Sequence, residues 1–391
     1  MKKLIVLLSA VAALAACSKN EMVPAVSGEN VEISYKVAPR TKAEPQTTQA
    51  FGTENVFASW AYYLPAGKSW ETDSKEAQIY FGEESAHGVE ISYDKDKNVW
   101  KNQTTSYYWP KEGKLTFFAY SLNSDFLTDK FGTDTHFYCT KNESQYGICG
   151  ALHLDKHPNT DLLVADMAAD KNANETAYKF NGVPTLFKHK LSRVKFAVKK
   201  KSEYANTTIT LNSITFKNLV NYMFYNQYKI NDNKSITPDY ITYDILGNIP
   251  RSEQKYTETA FEVSSSKAFE PVPDKNEVRY IYIPQDFKNA KETATIEVTY
   301  TVTFKKGISG TDKDIAETYT KTLNVKDIFD SWEIGKRYTF NLIFSLDEIK
   351  WAPAVGDWED EIKNIDVVTG EVKPADGSTS VDGNTTTDEQ C

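Results

Sequence analysis

The sequence predicts an all-β protein of two tandem antiparallel β-sandwich domains, and three observations carry that expectation. Tyr (23) and Phe (20) far outnumber Met (4), and aromatic side chains suit a pleated, half-buried surface. Apolar residues recur at every second position in many short runs, the period of a strand with one buried face. No apolar helical period persists through the first half, and no βαβ rhythm runs through the chain. That leaves short strands, separated by turns and paired antiparallel. At 391 residues, 40% of them apolar, the chain is long enough for two domains with sizeable cores.

The first element is a leader. Met1-Lys2-Lys3 is positive, Leu4 to Leu14 is apolar, and Leu14-Ala15-Ala16-Cys17 closes the segment with small residues before a cysteine. A bilayer span takes about 20 apolar residues, so residues 1–17 read as a secretory signal instead. LAAC resembles the lipobox of bacterial lipoproteins, which implies acylation of Cys17 and a membrane anchor. Each buried methylene of such chains contributes roughly 0.8 kcal/mol. The formal charge is −9, and the leader removes Lys2 and Lys3. The exported chain is therefore more acidic still and lacks the basic footprint that nucleic acid requires.

Residues 18–50 hold a first strand and a linker. VEISYKV sets Val31, Ile33, Tyr35 and Val37 on one face and Glu32, Ser34 and Lys36 on the other. It runs into Arg40 and a polar, proline-bearing stretch that ends near Ala50.

An N-terminal sandwich is expected over 51–182. Its strands are VFASWAYYL (56–64), VEISYD (89–94), TTSYYWP (104–110) and KLTFFAYSL (114–122). A more polar stretch with Cys139, Cys149, His153 and His157 leads to DLLVADMA (161–168). A C-terminal sandwich is expected over 183–370, from LFKHKLSRVKFAV (186–198) and TTITLNSITF (207–216) through RYIYIP (279–284) to TIEVTYTVTFK (295–305) and RYTFNLIFSL (337–346). EIKNIDVVTGEV (361–372) alternates weakly, and 371–391 is a solvated polar tail.

Chemistry-bearing patterns are weak. His153 and His157 in HLDKH have the spacing of a zinc-binding helix, but Leu154 stands where a metalloprotease needs its general base. DKDKN (94–98) opens like a calcium loop, yet Val99 and Thr105 occupy the positions that need glycine and glutamate; a turn between VEISY and VWKN is the better reading. There is no phosphate loop and no GxSxG elbow. No catalytic residue, metal site or cofactor is expected. Cys139 and Cys149 lie where an exported compartment permits a disulfide, with two free thiols the alternative. Trp60, Tyr62 and Trp109 could line a sugar-binding face, although their strand spacing favours core positions.

Several segments together resemble the fimbrillin family, pilus subunits and accessory proteins of Bacteroides-type bacteria. They are YYWPKEGKLTFFAYS (107–121), TDLLVADM (160–167), LFKHKLSRVKFAV (186–198), LNSITFKN (211–218), DSWEIGKRYTFNLIF (330–344) and IKWAPAVGDWED (349–360), in the family's order and spacing. The resemblance implies transthyretin-like sandwiches, a lipoprotein precursor and display on the outer membrane and in a fimbrium. It also implies cleavage by an arginine-specific protease after the first strand, where Arg40 stands. The groove so opened would take a strand from another fimbrial subunit. Ile362, Ile365 and Val367 would lie on this chain's own donor strand in a shaft-like subunit, or on a strand bound permanently at home in a tip or anchor protein, and host or bacterial surface ligands would be the adhesive partners. An uncleaved anchor, with VEISYKV a permanent edge strand, is the alternative within the family. A surface glycan-binding lipoprotein is the alternative outside it. Cys391, at the end of the tail, receives no role.

Overall fold

A computed structural model describes residues 31–37, 51–83, 88–122, 136–156, 160–173, 182–244, 248–272, 281–306 and 313–346. It also describes the backbone of 349–357, 363–366 and 371–374. The fold is all-β; its one α-helix among the described residues is the single turn Trp70–Asp73.

The N-terminal part is organised around Phe57–Leu64 and Lys114–Ser121, which pair antiparallel from Ala58↔Tyr120 to Leu64↔Lys114. Both strands are buried on both faces, because alternate side chains enter different cores. Ala58, Trp60, Tyr62, Phe118 and Tyr120 face one core, while Phe57, Ala61, Leu115, Phe117 and Ala119 face another. A four-stranded sheet closes the first core, and the layer holding the first strand closes the second. That layer is continuous with the central strands: 35–37, 99–101, 89–94, 57–64 and 114–121 follow one another in a single ten-stranded sheet, with the four-stranded sheet separate from it.

The four-stranded sheet explains two departures from the sequence reading. The polar stretch around the cysteines is a hairpin, His136–Lys141 and Gln145–His153, turned by the Asn142 side chain, which accepts from the Ser144 and Gln145 amides. Its partner is a second hairpin, Tyr222–Ile230 and Ile236–Thr242, paired from Tyr222↔His153 to Lys229↔Gln145. The N-terminal core thus contains Met223 and Tyr225, beyond the division expected after residue 182.

The C-terminal core lies between two sheets. One holds Ser192–Lys200 and Lys336–Phe344, the other Thr207–Val220 and Thr295–Phe304. Phe196, Phe216, Trp332 and Phe340 fill it. Pairing here is not wholly antiparallel, since 192–200 and 336–344 run parallel from Arg193↔Arg337 to Lys200↔Phe344. Strands so far apart in sequence need no tight hairpin, and parallel registry is open to them. The C-terminal core meets the N-terminal core of Trp60 and Tyr225 at Ile281 to Ile283: the isoleucines enter that N-terminal core and Tyr282 the C-terminal one.

Candidate functional site: the slot of the first strand

VEISYKV forms a strand held along both edges, so it is not the edge strand considered above. Residues 31, 33 and 35 direct their backbone groups to one side. Ile33 N donates to Tyr107 O at 2.7 Å, Trp109 N donates to Val31 O at 2.9 Å, and Tyr35 lies opposite Trp100 of Val99–Lys101. On the other side Val183 N donates to Ser34 O at 2.8 Å, and Tyr35–Val37 runs parallel to Val183–Thr185. That neighbour is the outermost strand of the sheet, and its exposed Pro184 fits an edge position. TTSYYWP is thus a partner of the first strand through Tyr107 to Trp109, while Thr104 and Thr105 turn away, donating to Asn102 Oδ1.

The expected inward face is inward. Ile33 is 4% exposed and Tyr35 2%, and Val31 and Val37 are half-buried against the same core. The Tyr35 ring meets Phe57 and Phe117 edge-on, at centroid distances of 5.3 and 5.9 Å. Its hydroxyl donates to Ser59 Oγ at 2.8 Å, and Ser59 Oγ donates onward to Phe118 O at 3.1 Å. Burial drives the Tyr35 phenol far above its ordinary value, with the Ser59 bond opposing only in part.

On the outward face Glu32 is held at three points. Lys101 Nζ lies 2.9 Å from Glu32 Oε1, Ser106 Oγ donates to the same oxygen at 2.7 Å, and Lys97 Nζ lies 3.7 Å from Oε2. Burial pushes the Glu32 carboxyl up. The Lys101 and Ser106 hydrogen bonds and the two ammonium charges outweigh it and hold the group below the ordinary glutamate value. Lys101 is raised in turn, first by its bond to Glu32.

Gly182 fits the backbone of the other edge closely. Its φ is +127°, and a Cβ there would lie 2.8 Å from the Tyr35 carbonyl carbon and 3.0 Å from Lys36 N. Beyond the Tyr35↔Trp100 pair the strands separate, and a cavity of about 560 Å³ opens, lined by Lys36, Val37, Lys97, Asn98 and Val99.

The remaining predicted residues are placed as follows. Cys17, Arg40, His157, Ile362, Val367 and Cys391 lie outside the described residues. Ile365 lies on Lys363–Asp366, whose backbone pairs with Glu371–Pro374 as a hairpin. Cys139 and Cys149 are buried thiols. Cys139 lies opposite Ile148 and Cys149 opposite Tyr138, so the neighbouring thiols point to opposite faces of their hairpin and do not form the disulfide considered above. Trp60, Tyr62 and Trp109 are core residues, 0%, 0% and 6% exposed, which removes the sugar-binding face proposed for them. His153 packs beside Tyr222, and DKDKN is a turn in which Asp94 Oδ1 accepts from the Asp96 and Lys97 amides.

One signal was in the sequence and unread: the pentapeptide VEISY occurs twice, at 31–35 and at 89–93. Strand 99–101 lies between the copies, with Tyr35 and Tyr93 both opposite Trp100.

A sequence profile of the fimbrillin-like family matches residues 67–358, and the chain belongs to that family. No curated protein matches the sequence. A fimbrial protein from Bacteroides vulgatus is structurally similar, with 16% identity, 84% of this chain and 100% of that one covered, and a TM-score of 0.59. That likeness supports the fold alone. The tip fimbrial protein Mfa3 from Porphyromonas gingivalis, truncated at its C-terminus, also aligns: 8% identity, 84% of this chain, 98% of that one, TM-score 0.31.

Proposed function

We propose that this chain is a subunit of a cell-surface pilus, exported as a lipoprotein through Cys17. In this reading 31–37 is a placeholder that is released after cleavage at Arg40 and replaced by a strand from another subunit. The observation that supports it is the seating of the first strand between two other strands, over a core to which it contributes Ile33 and Tyr35. Both ends of the intervening linker also rest on that core, at Val37 and Phe51, so a cut between them need not disturb the folded body.

The energetics suit exchange. Burying a side chain such as Ile33 contributes roughly 1.5–3 kcal/mol. Departure of the strand would expose that surface together with two facing rows of unpaired backbone groups, a template for strand addition. An incoming strand of the same alternation would restore both, so no ATP is needed. Cleavage would also part the body from its lipid, whereas an uncleaved chain would remain a tethered anchor.

The test is digestion of unacylated 18–391 with an arginine-specific protease, followed by mass and oligomer size. A single cut after Arg40 that yields higher oligomers supports the reading. Resistance at Arg40, or a cut chain that stays monomeric with its strand in place, overturns it in favour of an anchor.

A further inference from the structure

The slot does more than accept any alternating strand. We propose that it reads two side chains of its occupant, a carboxylate at the position of Glu32 and a tyrosine hydroxyl at the position of Tyr35. On the placeholder reading above, the strand that replaces 31–37 is then an extended segment bearing Glu-x-x-Tyr.

The tyrosine reading follows from the direction of the hydrogen bonds. Ser59 is fully buried, and its single hydroxyl proton is given to Phe118 O. What it offers the slot is a lone pair, and Tyr35 supplies the donor. Phenylalanine there fills the space between Phe57 and Phe117 but leaves that acceptor unmet. Sites built to bond a hydroxyl reject the analogue without it.

The carboxylate reading follows from Lys101. This side chain is 11% exposed, and its ammonium meets Glu32 at 2.9 Å. A strand with a neutral residue at this position leaves a largely desolvated cation to Asp94 alone among the charges that act on it here. Ser106 adds a donor aimed at the same oxygen. Both readers are fixed elements of the slot, one at the floor and one at the rim, so they also set the occupant's register.

The second VEISY copy separates the slot's contribution from that of the sequence. On strand 89–94 the glutamate, Glu90, is exposed, and the tyrosine hydroxyl of Tyr93 goes to Asn98. Neither is read.

The requirement also excludes an occupant. Past Tyr338 this chain contains no tyrosine, so its own segment 361–372 cannot supply Glu-x-x-Tyr. The partner strand is therefore a Glu-x-x-Tyr segment other than 361–372 of a second copy.

The experiment uses the full 18–391 chain with a specific protease site placed in the 41–50 linker, so that its outcome does not depend on Arg40. The cut chain is unfolded in urea and refolded with an excess of labelled peptide, and retained peptide is measured by anisotropy and mass. The peptides are residues 31–37, the same with Tyr35→Phe, the same with Glu32→Gln, and residues 361–372. We expect the Phe peptide to be retained about 3- to 10-fold less well than the parent, from the net worth of one hydrogen bond. We expect the Gln peptide to fall about 10-fold or more, and 361–372 to fail.

Ser59→Ala should abolish the preference for Tyr over Phe, and Lys101→Met the preference for Glu over Gln, which a merely structural role would not do. Equal retention of all four peptides would overturn the two-point reading and leave strand replacement standing. Retention of none, the parent included, would sink both.

Discussion

Tyr35 and Tyr93 lie directly opposite the same residue, Trp100, from the two edges of its strand. Each ends an identical pentapeptide, yet Tyr35 is 2% exposed with its hydroxyl on Ser59, while the half-buried Tyr93 bonds Asn98. The pentapeptide does not decide this; the environment does. Strand 89–94 has its other edge against 57–59, whereas 31–37 lies over Phe57 and Phe117 with 183–185 as its outer neighbour. The buried tyrosine is thus a property of the slot.

Gly182→Ala should loosen the first strand without cleavage. The added Cβ meets backbone atoms of residues 34 to 36, which cannot rotate away, and φ of +127° is strained for an L side chain by about 1–3 kcal/mol. The expected outcome in hydrogen exchange is loss of protection at the Val183 and Ile33 amides, with the C-terminal core unchanged. Unaltered protection at both amides would show that Gly182 does not clamp the strand.

The thiols give an independent check on the hairpin. Burial pushes the Cys149 thiol up to about 12, with the Tyr138 hydrogen bond opposing, and Cys139 is fully enclosed. Reactive cysteines need thiolate and access; Cys149 has neither, and Cys139 has no access. In a chain with Cys17 and Cys391 replaced by serine, neither thiol should react with a disulfide reagent at pH 8 until the protein is unfolded, when both should. A reagent-resistant, reducible link between them would contradict the opposite-face placement.

Much of the fold was legible, because period-two alternation survives wherever one face is buried. The strands at 57–64, 114–121, 295–304 and 336–344 all lie within or beside their expected runs. The failures have physical causes. Strand 57–64 is buried on both faces, so Trp60 and Tyr62 gave no sign of which side was core and which could be surface. The cysteine hairpin is interrupted by Gly147 and Gly150, which carry no pattern; Gly150 packs so closely on His136 and Phe137 that a Cβ would collide with their backbone. Pairing between residues 145–153 and 222–230 is a long-range choice that no local period encodes. At the slot the inward residues were readable from alternation. Their readers were not, since Ser59, Lys101 and Ser106 become neighbours of 31–37 only through the tertiary fold.

The C-terminal core and the core under the first strand should fail separately. Trp332 is 1% exposed and meets Phe216, Tyr282 and Phe287 at centroid distances of 5.5, 5.3 and 4.9 Å. Trp332→Ala should cost roughly 3–5 kcal/mol through the cavity it leaves, read as a lower denaturant midpoint by far-ultraviolet circular dichroism. Because this core is distinct from the one under the first strand, Ile33 amide protection in mild denaturant should persist after the C-terminal core has opened. Simultaneous loss would mean that all the cores are coupled into one cooperative unit. The links would be the contact at Ile281 to Ile283, which joins the C-terminal core to that of Trp60 and Met223, and strands 57–64 and 114–121, which face both N-terminal cores.

Acid should release the first strand. Glu32 titrates below its unfolded value of 4.5, so its contribution to seating is complete above that pH and is lost as pH falls through the depressed folded value. Lys101 gives the opposite limb, present below 10.5 and lost only as pH rises through its raised value. A chain cut in the linker should therefore keep its N-terminal piece on gel filtration near neutrality and shed it well below pH 4.5. Glu32→Gln should remove most of the acid dependence while weakening retention at neutral pH, because Lys101 then lacks its nearest carboxylate. If the wild-type chain and the Glu32→Gln variant shed the piece with the same pH profile, Glu32 is not the group that titrates, and the carboxylate has no hold on the strand.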